Sequence, residues 1–159
     1  MRPFQIGDRI KITDIEGNVI EKTPFVVRIR TPKNEEIAVP NSNILSANIV
    51  NYSSSALNTK VAVYLSVTFS YNTPWRQIHT LLIEAATKTP FILEDPKPYV
   101  LQTSFDDFFV EYQINAFIDE VNKIPLIYST LRQNIQDAFN NAGIEMTSTH
   151  YLSVNEEKI

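Results

Sequence analysis

The feature that most constrains this chain is a change of hydrophobic period part-way along it. Up to Ser53 the apolar residues recur every second position in short runs: Arg9 to Thr13 alternates Ile10 and Ile12, Asn18 to Thr23 follows Gly17, Phe25 to Thr31 alternates again, and Glu36 to Val39 and Ala47 to Tyr52 complete the set. Alternation at period two is the signature of half-buried strands, and several short strands close together read as a small barrel or sandwich. Helical periodicity is not visible in this half, and Gly7 and Gly17 are expected at its turns.

Beyond the cluster Ser53-Ser54-Ser55 the pattern changes. Lys60 to Ser70 places Val61, Val63, Leu65, Val67 and Phe69 on one strand face. Thr73-Pro74 then reads as N-cap and N1 of a helix through Lys88, with Trp75, Ile78, Leu82, Ala85 and Ala86 roughly on one side. Pro90, Pro96 and Pro98 break the chain. Tyr99 to Phe105 and Phe109 to Ile118 read as a hairpin across Asp106-Asp107, the second strand aligning Val110, Tyr112, Ile114 and Ala116. A helix from Pro125 to Ala142 turns Ile127, Leu131, Ile135, Ala138 and Phe139 inward and stops at Gly143, and Ile144 to Met146 is expected to begin a last strand. The order β-α-β-β-α-β is that of a ferredoxin-like domain, with two helices on one face of an antiparallel sheet. The expected organisation is therefore α+β, with an all-β domain over residues 1–55 and a ferredoxin-like domain with a C-terminal tail over 56–159.

At 159 residues and 43% hydrophobic composition, a chain like this buries roughly 70% of its unfolded surface, which argues against disorder. A net charge of -4 gives no general attraction to phosphate backbones or anionic lipid. The absence of cysteine removes disulfides and thiolate chemistry. The start MRPFQIGDRI has no apolar signal-peptide core. From Ile37 to Thr59 no charge occurs, but Pro40, Asn41, Asn43, Asn48, Asn51, Asn58 and five serines exclude a spanning helix, which needs about 20 mainly apolar residues.

Candidates for chemistry are few. His79 lies within a helix and His150 in the tail, with no motif linking them, so a metal site is not expected. Asp106-Asp107 falls at a turn, where adjacent acids serve turn geometry, and Glu94-Asp95 and Glu156-Glu157-Lys158 read as solvated segments. Three glycines at positions 7, 17 and 143 cannot write a phosphate-binding loop. Tyr64, Phe109 and Phe117 lie on strands of a fold that can stack RNA bases, but the basic and Gly residues of that recognition pattern are missing. Arg28 and Arg30 share one face of a strand; a solvent face, a charge-protected edge and an inter-subunit contact are all open. No cofactor is called for.

The series PFQIGDRIKI, Gly17-Asn18-Val19, RIRTPKNEEIAVPNSNIL and NIVNYS resembles the β domain of the small-conductance mechanosensitive channel family (MscS-like). That family's pattern runs PF-x-x-G-D, G-x-V, T-x-(I/L)-R-T, (I/V)-P-N and N-x-S. KPYVLQTSFDDFFVEYQINAFI and IQDAFNNAGIEM continue the likeness, which covers Phe4 to Met146. Val27 stands where the pattern has Thr, Pro24-Phe25 interrupts the long strand, Asn34 replaces a turn glycine, and Met146-Thr147-Ser148-Thr149 stands where the family has a proline-rich exit.

The resemblance implies a small Sm-like β barrel followed by the ferredoxin-like domain. It further implies a non-enzymatic homoheptameric ion channel whose pore helix, rich in glycine and alanine, directly precedes PF-x-x-G-D. On this reading the chain is the vestibule part on the cytoplasmic face of the inner membrane, attached through helices outside this sequence. Its partners are further copies, the membrane, ions and small solutes, and no nucleic acid. Gly7, Asp8, Gly17, Arg28, Arg30, Pro40, Asn41 and Asn51 are then structural or interface residues, with Pro40-Asn41 a corner near the subunit interface, and a closing C-terminal barrel would involve Tyr151 to Val154. The alternative is a soluble two-module regulatory or RNA-binding protein.

Overall fold

A computed structural model describes residues 4–53 and 60–146, which fall into two compact units. In the first, β1 (Arg9–Ile12), β2 (Ile15–Lys22), β3 (Val26–Arg30), β4 (Glu36–Pro40) and β5 (Ile49–Asn51) form one antiparallel sheet in the order β4-β3-β2-β1-β5. The long strand β2 pairs with β1 through its first half and with β3 through its second, with a register shift between Val19 and Glu21. Such a bulge bends a strand and lets one small sheet wrap a single core. That core is Phe4, Ile10, Ile12, Val19, Val27, Ile29 and Val39, the alternate residues that the period-two pattern selects.

Three features of this unit differ from the sequence expectation. Gly17 is not at a turn but inside β2; the turn is Thr13-Asp14, joining Ile12 to Ile15. A Cβ on Gly17 would lie 2.3 Å from the Arg30 carbonyl oxygen, so glycine is required by the close approach of β3. Arg28 and Arg30 do not lie on an edge strand, because β3 sits between β2 and β4. Finally, Pro40-Asn41 does not simply turn: a short helix α1 (Asn41–Ser46) begins there. Its six residues bury none completely, and Leu45 is 89% exposed, so there is no apolar stripe for the sequence to display.

In the second unit, β6 (Val61–Ser70), α2 (Trp75–Lys88), β7 (Tyr99–Phe105), β8 (Phe109–Ile118) and α3 (Ile124–Asn141) follow in the expected order. The sheet order β6-β8-β7 places the central strand last in sequence, as a split β-α-β requires. Phe69, Val110, Tyr112 and Ile114 from the sheet meet Ile78, Leu82, Ala85 and Ala86 of α2 and Leu131, Ile135 and Phe139 of α3 in one core. Phe69 stacks on Phe139 at 4.5 Å between ring centroids and meets Tyr112 edge-on at 6.0 Å. Thr89 ties the helices together: its hydroxyl donates to the Ala85 carbonyl at 2.9 Å and accepts from Asn134 Nδ2 at 3.0 Å.

Trp75 does not turn inward; it is 43% exposed, with the Arg76 guanidinium 4.2 Å from its ring centroid. The Pro74 carbonyl accepts the Ile78 N–H, which makes Pro74 the N-cap and leaves Thr73 one position too early to cap. The last strand expected from Ile144 is also absent among the described residues. Gly143 has φ +70, its N–H bonds to the Asn140 carbonyl, and the Ile144 N–H bonds to the Phe139 carbonyl at 2.9 Å. This is a Schellman closure of α3, and Ile144 packs on the core as its terminal apolar contact instead of starting a strand. Tyr151 to Val154 lie outside the described residues.

Candidate functional site

Where the chain enters the first unit, Phe4 is buried in the core, and Lys22 crosses over it, its Nζ 4.8 Å from the ring centroid and donating to the Phe4 carbonyl at 3.0 Å. Gly7 follows at φ +95, a conformation that glycine adopts without penalty, and its N–H donates to the Val19 carbonyl at 2.7 Å. Asp8 closes the turn: Oδ2 accepts the Gln5 N–H at 2.9 Å and the Asn51 Nδ2 at 2.9 Å. The last contact joins residues 43 apart in sequence.

The outgoing chain returns to the same place. The Tyr52 N–H donates to the Arg9 carbonyl at 2.9 Å, the Arg9 N–H donates to Ser53 Oγ at 2.9 Å, and the Ser53 N–H donates to Asn51 Oδ1 at 2.9 Å. Arg9 is only 2% exposed. Its guanidinium reaches across to β2, pairing with Glu16 at 3.3 Å and making a long contact with Asn18 at 3.5 Å. Its Nε finds no acceptor among the described residues, which makes the buried charge costly and its placement demanding. Gly7, Asp8 and Asn51 are marked by the family resemblance, Ser53 only as the last residue of N-x-S, and Arg9 by nothing in the sequence. An Arg that opens a strand beside an alternating pattern looks like a surface residue, and only the fold reveals what it meets.

A second junction involves Asn41, whose side chain holds not its own turn but a distant one. Nδ2 donates to the Thr23 carbonyl at 3.2 Å and to the Pro24 carbonyl at 2.9 Å, and its N–H donates to the Phe25 carbonyl at 2.8 Å. The Pro24-Phe25 interruption is therefore the β2–β3 hairpin turn, and Asn41 fastens it to the start of α1. Pro40 ends β4 opposite Val26. Arg28 pairs with Glu21 across the strands at 3.0 Å, and Arg30 donates to Asn34 Oδ1 at 2.8 Å. Asn34 takes φ +63, the left-handed conformation that the replaced turn glycine would supply.

The remaining candidates stay apart. His79 Nε2 meets Gln102 Oε1 at 3.1 Å, and its ring lies edge-on to Trp75 and Tyr112. The Asp106 N–H bonds to the Phe109 carbonyl, closing the β7–β8 turn, and the Tyr71 hydroxyl donates to the Asp106 carbonyl. His150 and Glu156-Glu157-Lys158 lie outside the described residues. No cluster of metal-ligating side chains occurs among the described residues, and no helix there is long and apolar enough to cross a membrane. Of the three aromatics considered for base stacking, Tyr64 is 57% exposed, whereas Phe109 is buried and Phe117 half-buried. A groove of about 360 Å³ between α2 and α3 is lined by Glu84, Lys88, Asn134 and Asp137 among others, with Glu84 already paired to Lys88 at 3.3 Å.

Residues 1–54 match the family described as mechanosensitive ion channel, beta-domain, and residues 63–146 match mechanosensitive ion channel MscS, C-terminal. The chain belongs to the MscS mechanosensitive ion channel family. An uncharacterized MscS family protein of Haemophilus influenzae is 24% identical over 145 residues, which is 91% of this chain and 13% of that protein. The mechanosensitive channel MscK of Escherichia coli is 24% identical over 120 residues, 76% of this chain and 10% of that protein. The chain thus spans about an eighth or less of these MscS-family relatives. In fold it is similar to Helicobacter pylori MscS in a closed state, with a TM-score of 0.71 at 21% identity, covering 92% of this chain and 56% of that one. The Asp8–Asn51 bond joins the PF-x-x-G-D and N-x-S segments of the family pattern, and the Arg9–Ser53 bond ties the residue after the first motif to the last of the second.

Proposed function

We propose that the chain is the cytoplasmic vestibule part of a mechanosensitive ion channel, on the inner face of the cell membrane, attached through membrane segments that precede Phe4 in the complete protein. Copies of the β unit, residues 1–55, assemble as a ring, expected to be a heptamer, and copies of residues 56–159 enclose a space through which ions and small solutes reach the pore. The part carries no catalysis. It holds subunits together and shapes the permeation path, while tension is sensed by the membrane segments, whose lipid contacts change when the bilayer stretches.

The observation that supports this reading most directly is the match of two channel-family modules, the beta-domain and the C-terminal one, in order along one chain, over 1–54 and 63–146. The exposed Arg28–Glu21 pair and the β2–β3 turn held by Asn41 are the surfaces assigned to subunit contact, with Gly7, Asp8, Gly17, Arg30, Pro40 and Asn51 shaping the unit behind them. The test is survival of sudden osmotic dilution by cells lacking their own tension-gated channels. Expression of the complete reading frame should restore survival, and survival no better than that of the empty strain would contradict the proposal.

A further inference from the structure

The incoming and outgoing segments of the β unit lie side by side. β1 and β5 are antiparallel, with Ile10 opposite Asn51 and Ile12 opposite Ile49, so Phe4–Arg9 and Asn51–Ser53 emerge at the same end of the ladder. A pull on the chain ahead of Phe4, resisted by the chain beyond Ser53, opens such a ladder from that end. Its bonds are then loaded one after another instead of together, which is the weakest way to load a strand pair. The first bonds to meet the load decide whether the unit holds.

At that end the backbone pairing is reinforced by side chains. Asn51 Nδ2 donates to the Asp8 carboxylate, the Arg9 N–H donates to Ser53 Oγ, and Tyr52 N–H donates to the Arg9 carbonyl, each at 2.9 Å. The Asp8 oxygen that receives Asn51 also receives the Gln5 N–H, so one carboxylate oxygen links the entry turn to Asn51. Arg9 anchors the crossing from behind, through its buried guanidinium on Glu16 of β2.

We infer that Asp8, Arg9, Asn51 and Ser53 form a mechanical clamp that passes pull from the segment ahead of Phe4 directly to the segment after Ser53, without peeling β1 from β5. The inference rests on the channel reading only for the source of the pull; the clamp itself is a property of this chain. In the channel the clamp would couple movement of the membrane segments to the second unit while sparing the β core.

The test is constant-force single-molecule unfolding of the 159-residue chain, held by cysteines introduced at its two ends, which is clean because the sequence has none. Ser53→Ala should raise the rupture rate of the β unit at fixed force by about five- to tenfold, the effect of losing one hydrogen bond at the point of loading, and Asn51→Ala, which removes both the bond to Asp8 and the acceptor of the Ser53 N–H, should raise it at least as much. Val39→Ala, in the strand at the far end of the sheet, should lower equilibrium stability at least as much and change the rupture rate less. Unchanged rupture rates in both clamp variants would overturn the inference. So would a Val39→Ala rate increase equal to theirs, since the clamp residues would then contribute only ordinary stability. A channel that conducts no current leaves this measurement unaffected, so the two failures are distinguishable.

Discussion

A methyl group at Gly17 would sit 2.3 Å from the Arg30 carbonyl oxygen and 2.8 Å from a carbon of the Ile29 side chain, whereas one at Gly143 meets nothing within 4 Å. The two glycines are required for different reasons, close approach of backbone in one case and φ +70 in the other. Gly17→Ala should therefore cost about 3 kcal/mol, by overpacking that β3 cannot relieve, and Gly143→Ala about 1 kcal/mol, by backbone strain alone. Urea denaturation of the purified chain measures both; equal costs would contradict the distinction. Gly143 was legible as the helix stop, but Gly17 was not legible as a strand residue, because a glycine that follows a charged residue beside an alternating run is what a turn also looks like. Asn41 tells the same story: its type suits a turn, but its partners at Thr23 and Pro24 are 18 and 17 residues away. Asn41→Ala should cost about 2 kcal/mol by leaving those carbonyls without their donor, read from the same denaturation midpoint.

At the scale of elements, the segments with strong periodicity were legible and those without it were not. β8 and α3 carry their apolar residues at strict spacing, and the expected inward residues Val110, Tyr112, Ile114, Ala116 and Ile127, Leu131, Ile135, Phe139 are buried, with Ala138 partly so. α1 has six residues and one partly buried apolar contact, Ile44, so tertiary contacts form it and no pattern announces it. Ile144 looked like the start of a strand because an isolated apolar residue after a glycine fits two roles, and the Schellman bond to Phe139 selects the other. Burial also gives β8 a pH signature. Tyr112 is enclosed between α2 and the sheet, and desolvation raises its phenol above the ordinary value of 10.0. The folded state then holds that proton more tightly than the unfolded chain does. Stability contributed by this group is complete below pH 10.0 and is lost as pH rises through the folded value. Tyr112→Phe should flatten the alkaline loss of stability relative to the unaltered chain, and an identical alkaline midpoint in the two proteins would count against the assignment.

For the whole molecule, the sequence carried the family, through motifs whose spacing survives even where single residues depart from the pattern. What it left hidden was why those motifs sit where they do. PF-x-x-G-D and N-x-S lie at opposite ends of the first half of the chain, and the fold brings them into one hydrogen-bonded junction through Asp8, Arg9, Asn51 and Ser53. That junction is legible only once β1 and β5 are known to pair, a contact with no local signal. Arg28 and Arg30 test the proposed subunit surface. Reversing both charges, Arg28→Glu and Arg30→Glu, should reduce the assembled fraction of the complete protein in native mass measurements, and unchanged assembly would assign them to the solvent face.

The most direct test of the account is electrical. Membrane patches containing the protein encoded by the complete reading frame should pass stepwise currents when suction stretches the bilayer, returning to baseline when suction is released. Patches that stay silent up to the tension at which the bilayer itself ruptures, with the protein shown to be present in them, would contradict it.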